Sequence, residues 1–259
     1  MPMTPSLREL YADIVGAYNE KKRALDAQFV LYRALYRPLS FPLTVLFIRA
    51  GFSANQVSLL NAALLAVVLA LLASGRDALM VSGAVLFFVF YVLDFVDGNI
   101  ARYRNQASYL GKLLDGTIDT IAYLIFAAVA IGNARAGHSL IGAQLEIAIG
   151  VATLVAALFN QNAVFRVAYL RLESQAAGTS GEPAASVAAS GKGGLLKRGN
   201  WLYQNALVST PVILLITIAT GYLTAFTVFF ALVHAVLGTA ATALGMLHAR
   251  RFLDRARSH

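Results

Sequence analysis

The stretch DFVDGNIARYRNQASYLGKLLDGTID, residues 94 to 119, places four aspartates between two long apolar segments. Asp94 and Asp97 are three residues apart at the end of the first segment, and Asp115 and Asp119 are four apart near the start of the second. Spacings of three and four put each pair on one face of a helix. The short polar connection predicts an antiparallel helix pair, with the four carboxylates converging where both apolar segments end.

Outward from these aspartates, the chain is apolar in long uncharged blocks. It has 259 residues, of which 58% are hydrophobic and 13% charged, whereas a soluble domain carries about a quarter charged residues. Roughly 20 mostly apolar residues cross the hydrocarbon core, and lipid requires locally paired backbone groups, so the blocks are helices. The sequence predicts an all-α integral membrane protein with six transmembrane helices, near residues 56–75, 78–98, 111–133, 142–168, 202–221 and 224–247.

The N-terminal segment is apolar on one side only. Residues 5 to about 36 are predicted to form an amphipathic helix on the membrane surface, since apolar side chains recur at helical spacing and the opposite face is charged. The next stretch, RPLSFPLTVLFIRAGFSANQ at 37–56, is too short to span the membrane and contains Pro38 and Pro42. We therefore expect it to be an interfacial segment.

Composition divides the chain into three regions. Residues 1–54 are expected to form an N-terminal cytoplasmic and interfacial helical segment, 55–250 a six-helix transmembrane catalytic domain, and 251–259 a basic cytoplasmic tail. Within the domain, residues from about 174 to 197 are small and polar, which predicts a flexible cytoplasmic loop. The N-terminus shows no apolar segment typical of a secretory signal, and the absence of cysteine excludes disulfides and thiol chemistry.

Basic residues mark one side of the membrane. The N-terminal segment, the second and fourth connections and the tail hold 19 of the 21 Lys and Arg residues. By the positive-inside rule, both termini and the aspartate stretch face the cytoplasm, and we expect a bacterial or archaeal cytoplasmic membrane. The net charge of +8 then reflects basic residues that set the membrane topology and anchor the chain at the membrane surface. No basic run is interleaved with exposed aromatic residues, so nucleic-acid binding is not expected.

The four aspartates favour a metal site. Carboxylates close to lipid are costly and usually functional, and an all-oxygen set without cysteine or nearby histidine favours Mg²⁺, Mn²⁺ or Ca²⁺ over zinc. Two such ions can clamp the attacking and leaving oxygens at a phosphorus centre. Arg102 in the same connection can hold a phosphate bidentately. The alternative is a set of salt bridges with Arg102, Arg104 and Lys112.

A long signature covers the aspartate stretch without a departure: Asp97-Gly98-x-x-Ala101-Arg102, eight residues to Gly111, three to Asp115 and three to Asp119. It resembles the signature of the CDP-alcohol phosphatidyltransferases, whose first aspartate matches Asp94. The resemblance extends to the six-helix layout with an N-terminal surface helix. The segment 54–58, Ala-Asn-Gln-Val-Ser, is similar to the family's Pro-Asn-Gln-x-Thr element and departs from it at Ala54 and Ser58.

The resemblance implies a role for each matching residue. Asp94, Asp97 and Asp115 would bind metal, with two ions of Mg²⁺ or Mn²⁺ expected. Asp119 would be the general base and would also contact the second metal. The cytidine diphosphate would contact residues of the signature and of the first membrane helix, namely Gly98, Arg102, Ser108, Asn55, Gln56, Val57 and Ser58.

The resemblance also implies the reaction. A donor such as CDP-diacylglycerol would pass its phosphatidyl group to a small alcohol, with release of CMP, in phospholipid biosynthesis. Membrane lipids and a second copy of the chain, in a homodimer, are the other expected partners. An alternative is the transfer of phosphocholine or phosphoethanolamine from CDP-choline or CDP-ethanolamine to diacylglycerol.

The acceptor pocket is suggested by an unusual polar run in the fourth predicted helix. We expect contacts to the acceptor from Asn160, Asn162, Arg166 and Arg198, and the neighbouring Gln161, Tyr203 and Gln204 are also available. Interhelical hydrogen bonds and a snorkelling arginine are the competing interpretation. His234, alone on an apolar helix, is expected to be a packed side chain.

Two other classes of protein use membrane aspartates. A cation or proton transporter would carry them near the bilayer midplane on broken helices of two related halves, but here they cluster at one boundary and no second half mirrors them. A prenyl-transferring enzyme would need two separate aspartate-rich sites, and this chain shows one.

Overall fold

The N-terminal segment folds as short helices rather than as the single helix expected over residues 5 to 36. The computed structural model describes residues 6–106, 108–176 and 194–256, and most of the predicted loop at 174–197 lies outside them. Helix α1 spans Leu7–Gly16 and α2 spans Glu20–Asp26. The chain breaks between them because the Asn19 side chain accepts a hydrogen bond from the Lys22 amide at 2.9 Å and caps α2.

The predicted interfacial segment is a regular helix. A π-helical turn, Tyr32–Tyr36, leads directly into α3, Arg37–Arg49. Pro38 is the second residue of α3, and α3 continues through Pro42. Leu10 and Ile14 of α1 pack against Phe41 of α3 in a small apolar cluster, so the N-terminal helices rest on α3.

The rest of the described chain is also helical, with no strand. Its elements are α4 Ala54–Leu72, α5 Asp77–Tyr103, α6 Tyr109–Ala122, α7 Ile125–Ala136, α8 Ala143–Ala176, α9 Gly194–Val208, α10 Thr210–Ala219, α11 Leu223–Leu232, a second π-helical turn Val233–Gly238, and α12 Thr239–Ala256. Helix α12 runs through the predicted boundary at residue 250.

Five helical stretches are long and apolar enough to cross a membrane, at 54–72, 77–103, 109–136, 143–170 and 223–247. A sixth crossing is made if α9 and α10 together form one membrane span. The two helices meet at Ser209 with a bend of 58°. Pro211 stands in the first turn of α10, where it cannot continue the hydrogen bonding of α9. The prediction of an all-α integral membrane protein is confirmed, and the straight fifth span is replaced by a bent pair.

Close helix packing holds the bundle together. Helix α4 lies along α5 and also touches α7, and a shared apolar core runs from Leu65 on α4 to Phe230 on α11. A Cβ atom at Gly132 of α7 would overlap the carbonyl oxygen of Leu72 on α4. A side chain there would therefore push two membrane helices apart.

A buried carboxylate joins three helices at the end of the bundle opposite the aspartates. Glu146 of α8 is 0% exposed. Its Oε1 accepts hydrogen bonds from Asn133 Nδ2 on α7 at 2.7 Å and Thr227 Oγ1 on α11 at 3.2 Å, and its Oε2 accepts one from Thr224 Oγ1 at 3.0 Å. These bonds offset the cost of placing a carboxylate inside the bundle.

Candidate active site

The signature aspartates border an open cavity of about 230 Å³, here cavity A. The cavity lies between the N-terminal segment, α4, the end of α5 and the start of α6. Its wall is formed by Lys22, Tyr32, Arg37, Ala54, Asn55, Ser58, Asp94, Phe95, Asp97, Gly98, Ala101, Arg102, Gln106, Ser108, Gly111, Lys112 and Asp115. Four of these side chains are basic and three are carboxylates.

The four aspartates sit on two neighbouring helices, as their spacing predicts. Asp97 of α5 is 8% exposed, and its Oδ2 accepts a hydrogen bond of 2.6 Å from Ser58 Oγ on α4. Asp94 of α5 and Asp115 of α6 lie within hydrogen-bonding reach of each other. Asp115 and Asp119 are exposed along the open side of α6.

Five of the seven residues predicted to contact the nucleotide border cavity A: Asn55, Ser58, Gly98, Arg102 and Ser108. Gln56 and Val57 do not. The Gln56 side chain turns back to accept a hydrogen bond of 2.8 Å from the Ser53 amide, which caps α4. Val57 points into the bundle and packs in an apolar cluster with Leu93 and Val96.

Arg37 is a wall residue that the sequence analysis missed. Its side chain is buried, and Nε lies 2.6 Å from Oδ2 of Asp26 on α2. The guanidinium also lies over the rings of Tyr18, at 4.7 Å, and Phe95, at 4.5 Å. The sequence does show a charged residue, Arg37, at the start of an otherwise apolar stretch. Its ion-pair partner, Asp26, lies eleven residues earlier on a separate helix, so the sequence alone does not reveal the pair.

Asn99 connects the two arginines of cavity A. Its Oδ1 accepts hydrogen bonds from Arg37 Nη1 at 2.9 Å and from Arg102 Nη2 at 2.7 Å. Its Nδ2 donates to Ser40 Oγ and Thr44 Oγ1 of α3, both at 3.1 Å. Because the Asn99 amide is held from both sides, the two guanidinium groups are oriented together.

A second cavity of about 250 Å³, cavity B, adjoins the first. Tyr32, Asp94 and Phe95 border both cavities. The remaining wall of cavity B is formed by Phe87, Phe90, Tyr91, Asp119, Ala122, Tyr123, Ile125, Phe126, Gln161, Gln204, Leu207, Val208 and Thr210. Asp119 therefore faces a different cavity from Asp97 and Asp115.

Tyr32 stands at the junction of the two cavities. Burial, and then the nearby carboxylates of Asp94 and Asp119, raise the pKa of the Tyr32 phenol. A phenol is protonated at neutral pH even with its ordinary pKa, and this shift keeps the hydroxyl a hydrogen-bond donor over a wider range of pH. Its ring packs edge-on against Phe95 at 4.8 Å, which holds it at this position.

Comparison with known proteins places this site in a family. The profile of the CDP-alcohol phosphatidyltransferases matches residues 52–247. The chain belongs to that family. The transferase is also 36% identical over 126 residues to the bifunctional IPC transferase and DIPP synthase of Rubrobacter xylanophilus, an alignment that covers 48% of this chain and 25% of that relative. Since the chain spans a quarter of the relative's length, the alignment alone carries none of the relative's activities to the transferase.

The metal-binding prediction rests on donor chemistry. The family generally uses divalent metals, and the oxygen donors of Asp94, Asp97 and Asp115 on one cavity wall suit such ions. Among the described residues, no three acidic, histidine or cysteine side chains are grouped closely enough to hold one ion. None of the four aspartates is in an ion pair with Arg102, Arg104 or Lys112 in the described part of the chain, so the salt-bridge alternative is not supported.

The residues predicted to bind the acceptor lie away from both cavities. Asn160 is buried, where its Nδ2 donates to the His234 carbonyl oxygen at 3.2 Å and its Oδ1 accepts from Thr242 Oγ1 at 3.0 Å. Asn162, Arg166 and Arg198 are exposed. Their neighbours Gln161 and Gln204 line cavity B instead. His234 is buried, with Nδ1 3.2 Å from the Tyr203 hydroxyl, which agrees with its expected packing role.

Proposed function

We propose that this transferase moves a substituted phosphoryl group from a CDP-linked donor, such as CDP-diacylglycerol, to an alcohol in phospholipid biosynthesis. CMP is the leaving group. The observation that carries the proposal is the position of Asp94, on the wall shared by two cavities whose other walls hold the remaining signature aspartates. Family membership supports the same reaction class.

Cavity A would bind the cytidine diphosphate. Lys22, Arg37, Arg102 and Lys112 border it and would pair with the phosphate oxygens. Arginine suits this task because its guanidinium donates two parallel hydrogen bonds. Asn99 orients both arginines, so they require little rearrangement when the donor enters. Asn55, Ser58, Gly98 and Ser108 would contact the rest of the nucleotide.

Asp94, Asp97 and Asp115 would hold the divalent ions, Mg²⁺ or Mn²⁺, with Asp119 contributing to the second. When bound, such ions neutralise the diphosphate and stabilise the departing CMP. The Ser58 hydroxyl would keep the Asp97 carboxylate oriented through its 2.6 Å hydrogen bond. Gly98 adds no side chain to the wall between Asp97 and Arg102.

Asp119 would serve as the general base. Its carboxylate faces cavity B, where it would accept the proton of an acceptor hydroxyl. The hydroxyl oxygen then forms its bond to the β-phosphorus while the bond from that phosphorus to the bridging oxygen breaks, and CMP leaves with the electron pair. The junction at Tyr32 and Asp94 is where acceptor and donor would meet.

The site is proposed to face the cytoplasm of a bacterial or archaeal cell, following the distribution of basic residues. The lipid part of the donor would enter from the membrane and the alcohol from water. A homodimer is proposed from the family resemblance.

The test is release of CMP by the purified protein. CDP-diacylglycerol, CDP-choline and CDP-ethanolamine are each supplied with Mg²⁺ or Mn²⁺ and with glycerol, inositol, serine, glycerol 3-phosphate, inositol phosphate or diacylglycerol, and products are read by mass. We expect CMP and a phosphodiester only with a divalent ion present. No CMP with any pair of substrates would refute the proposal. Transfer from CDP-choline to diacylglycerol would replace it with the alternative direction.

A further inference from the structure

The two cavities differ in charge. Cavity A brings four basic side chains to its wall, whereas no described Lys, Arg or His lines cavity B. Within the described part of the chain, the charged groups of cavity B are the carboxylates of Asp94 and Asp119. In the proposed reaction both carboxylates hold divalent ions, so the phosphate or carboxylate of an anionic acceptor, bound beyond the attacking hydroxyl, would find no basic side chain on the rest of the described wall. That arrangement is unfavourable away from bulk water.

The other polar groups of cavity B are neutral. The Tyr123 hydroxyl donates to Gln161 Oε1 at 3.3 Å, which leaves the Gln161 NH₂ group for other partners. Gln204 lies on the same wall, and Tyr32 adds a phenol at the junction. Amides and phenols both donate and accept hydrogen bonds, and the surrounding aromatic rings offer apolar faces. Such a wall complements the alternating hydroxyl and C–H surface of a polyol.

We propose that cavity B binds the acceptor and selects a water-soluble, uncharged polyol over a phosphorylated or carboxylated alcohol. This inference rests on the proposed transferase reaction. Gln161 and Gln204 are the specificity-determining residues, because their amides supply hydrogen bonds at the positions where a cation would be needed to hold an anionic acceptor. Asp119 reaches the hydroxyl at the end of the cavity nearest the donor.

Matched acceptor pairs test the charge preference. Glycerol is compared with glycerol 3-phosphate, and inositol with inositol phosphate, by kcat/KM for CMP release at saturating donor. The free polyol of each pair is expected to be favoured by at least ten-fold. Preference for the phosphorylated member, or for diacylglycerol, overturns the inference while leaving the transferase reaction standing. If the transferase reaction itself does not occur, no acceptor yields CMP, and that result contradicts the proposed function instead.

Charge insertion tests the two glutamines. Gln161→Lys and Gln204→Lys are each expected to shift the ratio of kcat/KM at least ten-fold toward the phosphorylated acceptor, with the KM for the donor unchanged. Gln161→Leu and Gln204→Leu are expected to raise the KM for the free polyol several-fold. Asn200→Lys is the control, since Asn200 is exposed one turn before Gln204 on α9 and should leave the ratio unaltered. If neither lysine variant moves the ratio while both melt like the parent protein, cavity B is not the acceptor site.

Discussion

The guanidinium of Arg37 and the carboxylate of Asp26 form an ion pair that is buried on both sides. The atoms Nε and Oδ2 lie 2.6 Å apart, and the two residues are 4% and 2% exposed. The Tyr18 hydroxyl donates to the same carboxylate oxygen at 2.9 Å. Through this pair α2 is joined to α3 at the wall of cavity A, so the N-terminal helices and the cavity share one polar network.

Asp26→Asn should destabilise the protein strongly, because it leaves the Arg37 cation buried without its anion. Removing one partner of a buried pair costs about 3–5 kcal/mol, and here the rings of Tyr18 and Phe95 retain part of the stabilisation. The thermal midpoint in detergent should fall well below that of Asp13→Asn, a matched change at an exposed position of α1. Equal midpoints for the two variants would show that the pair contributes little.

Asp119→Asn should reduce turnover by roughly 100-fold to 10,000-fold, the usual contribution of a general base. Because Asp119 faces cavity B rather than cavity A, CDP affinity measured by calorimetry without divalent ions should change less than two-fold. Asp77→Asn, at the opposite end of α5 where Asp77 pairs with His138 at 3.0 Å, should retain full activity. A fully active Asp119→Asn protein would remove the base assignment.

Ser58→Ala should raise the metal concentration needed for half-maximal activity without abolishing catalysis. The lost hydrogen bond to Asp97 frees a carboxylate proposed to hold metal, and loss of such supporting contacts typically costs about 10-fold to 100-fold in metal affinity. The Mn²⁺ concentration for half-maximal activity should rise accordingly. Ser58→Thr keeps the hydroxyl, so its Mn²⁺ concentration for half-maximal activity should match that of the parent protein. Ser82→Ala serves as control, since Ser82 is exposed and donates only to the Ala78 carbonyl oxygen.

Gly132→Ala should destabilise the bundle by about 1–3 kcal/mol, as overpacking does in other tightly packed interiors. The added methyl group would meet the Leu72 carbonyl oxygen and separate α7 from α4. Gly245→Ala in α12 meets nothing within 4 Å and should leave the free energy of unfolding unchanged or raised. Identical behaviour of the two variants would show that α4 and α7 can move apart at no cost.

The membrane helices could be predicted from sequence because each crossing needs an apolar run, which composition reveals directly. The bend at Ser209 was harder to predict, although Pro211 is a residue that commonly interrupts a helix. The aspartate pairs were predicted from helical spacing alone. The Arg37–Asp26 pair depends on how α2 packs against α3, which no local pattern reports.

The polar run of α8 is divided between two environments. Asn160 and Gln161 are adjacent in sequence, and consecutive side chains on a helix point about 100° apart. Asn160 therefore turns toward His234 and α12, while Gln161 reaches cavity B. Which of two neighbouring amides faces a cavity is decided by the rotation of α8 in the bundle.

The buried Glu146 carries a consequence for biosynthesis. Two of its hydrogen-bonding partners, Thr224 and Thr227, lie on α11, 78 and 81 residues later in the chain. A ribosome delivers α8 to the membrane before α11 has been made, so of these three described partners Asn133 alone is present when the Glu146 carboxylate enters. Assembly of this helix group is therefore completed only after α11 has been made and has packed beside α8.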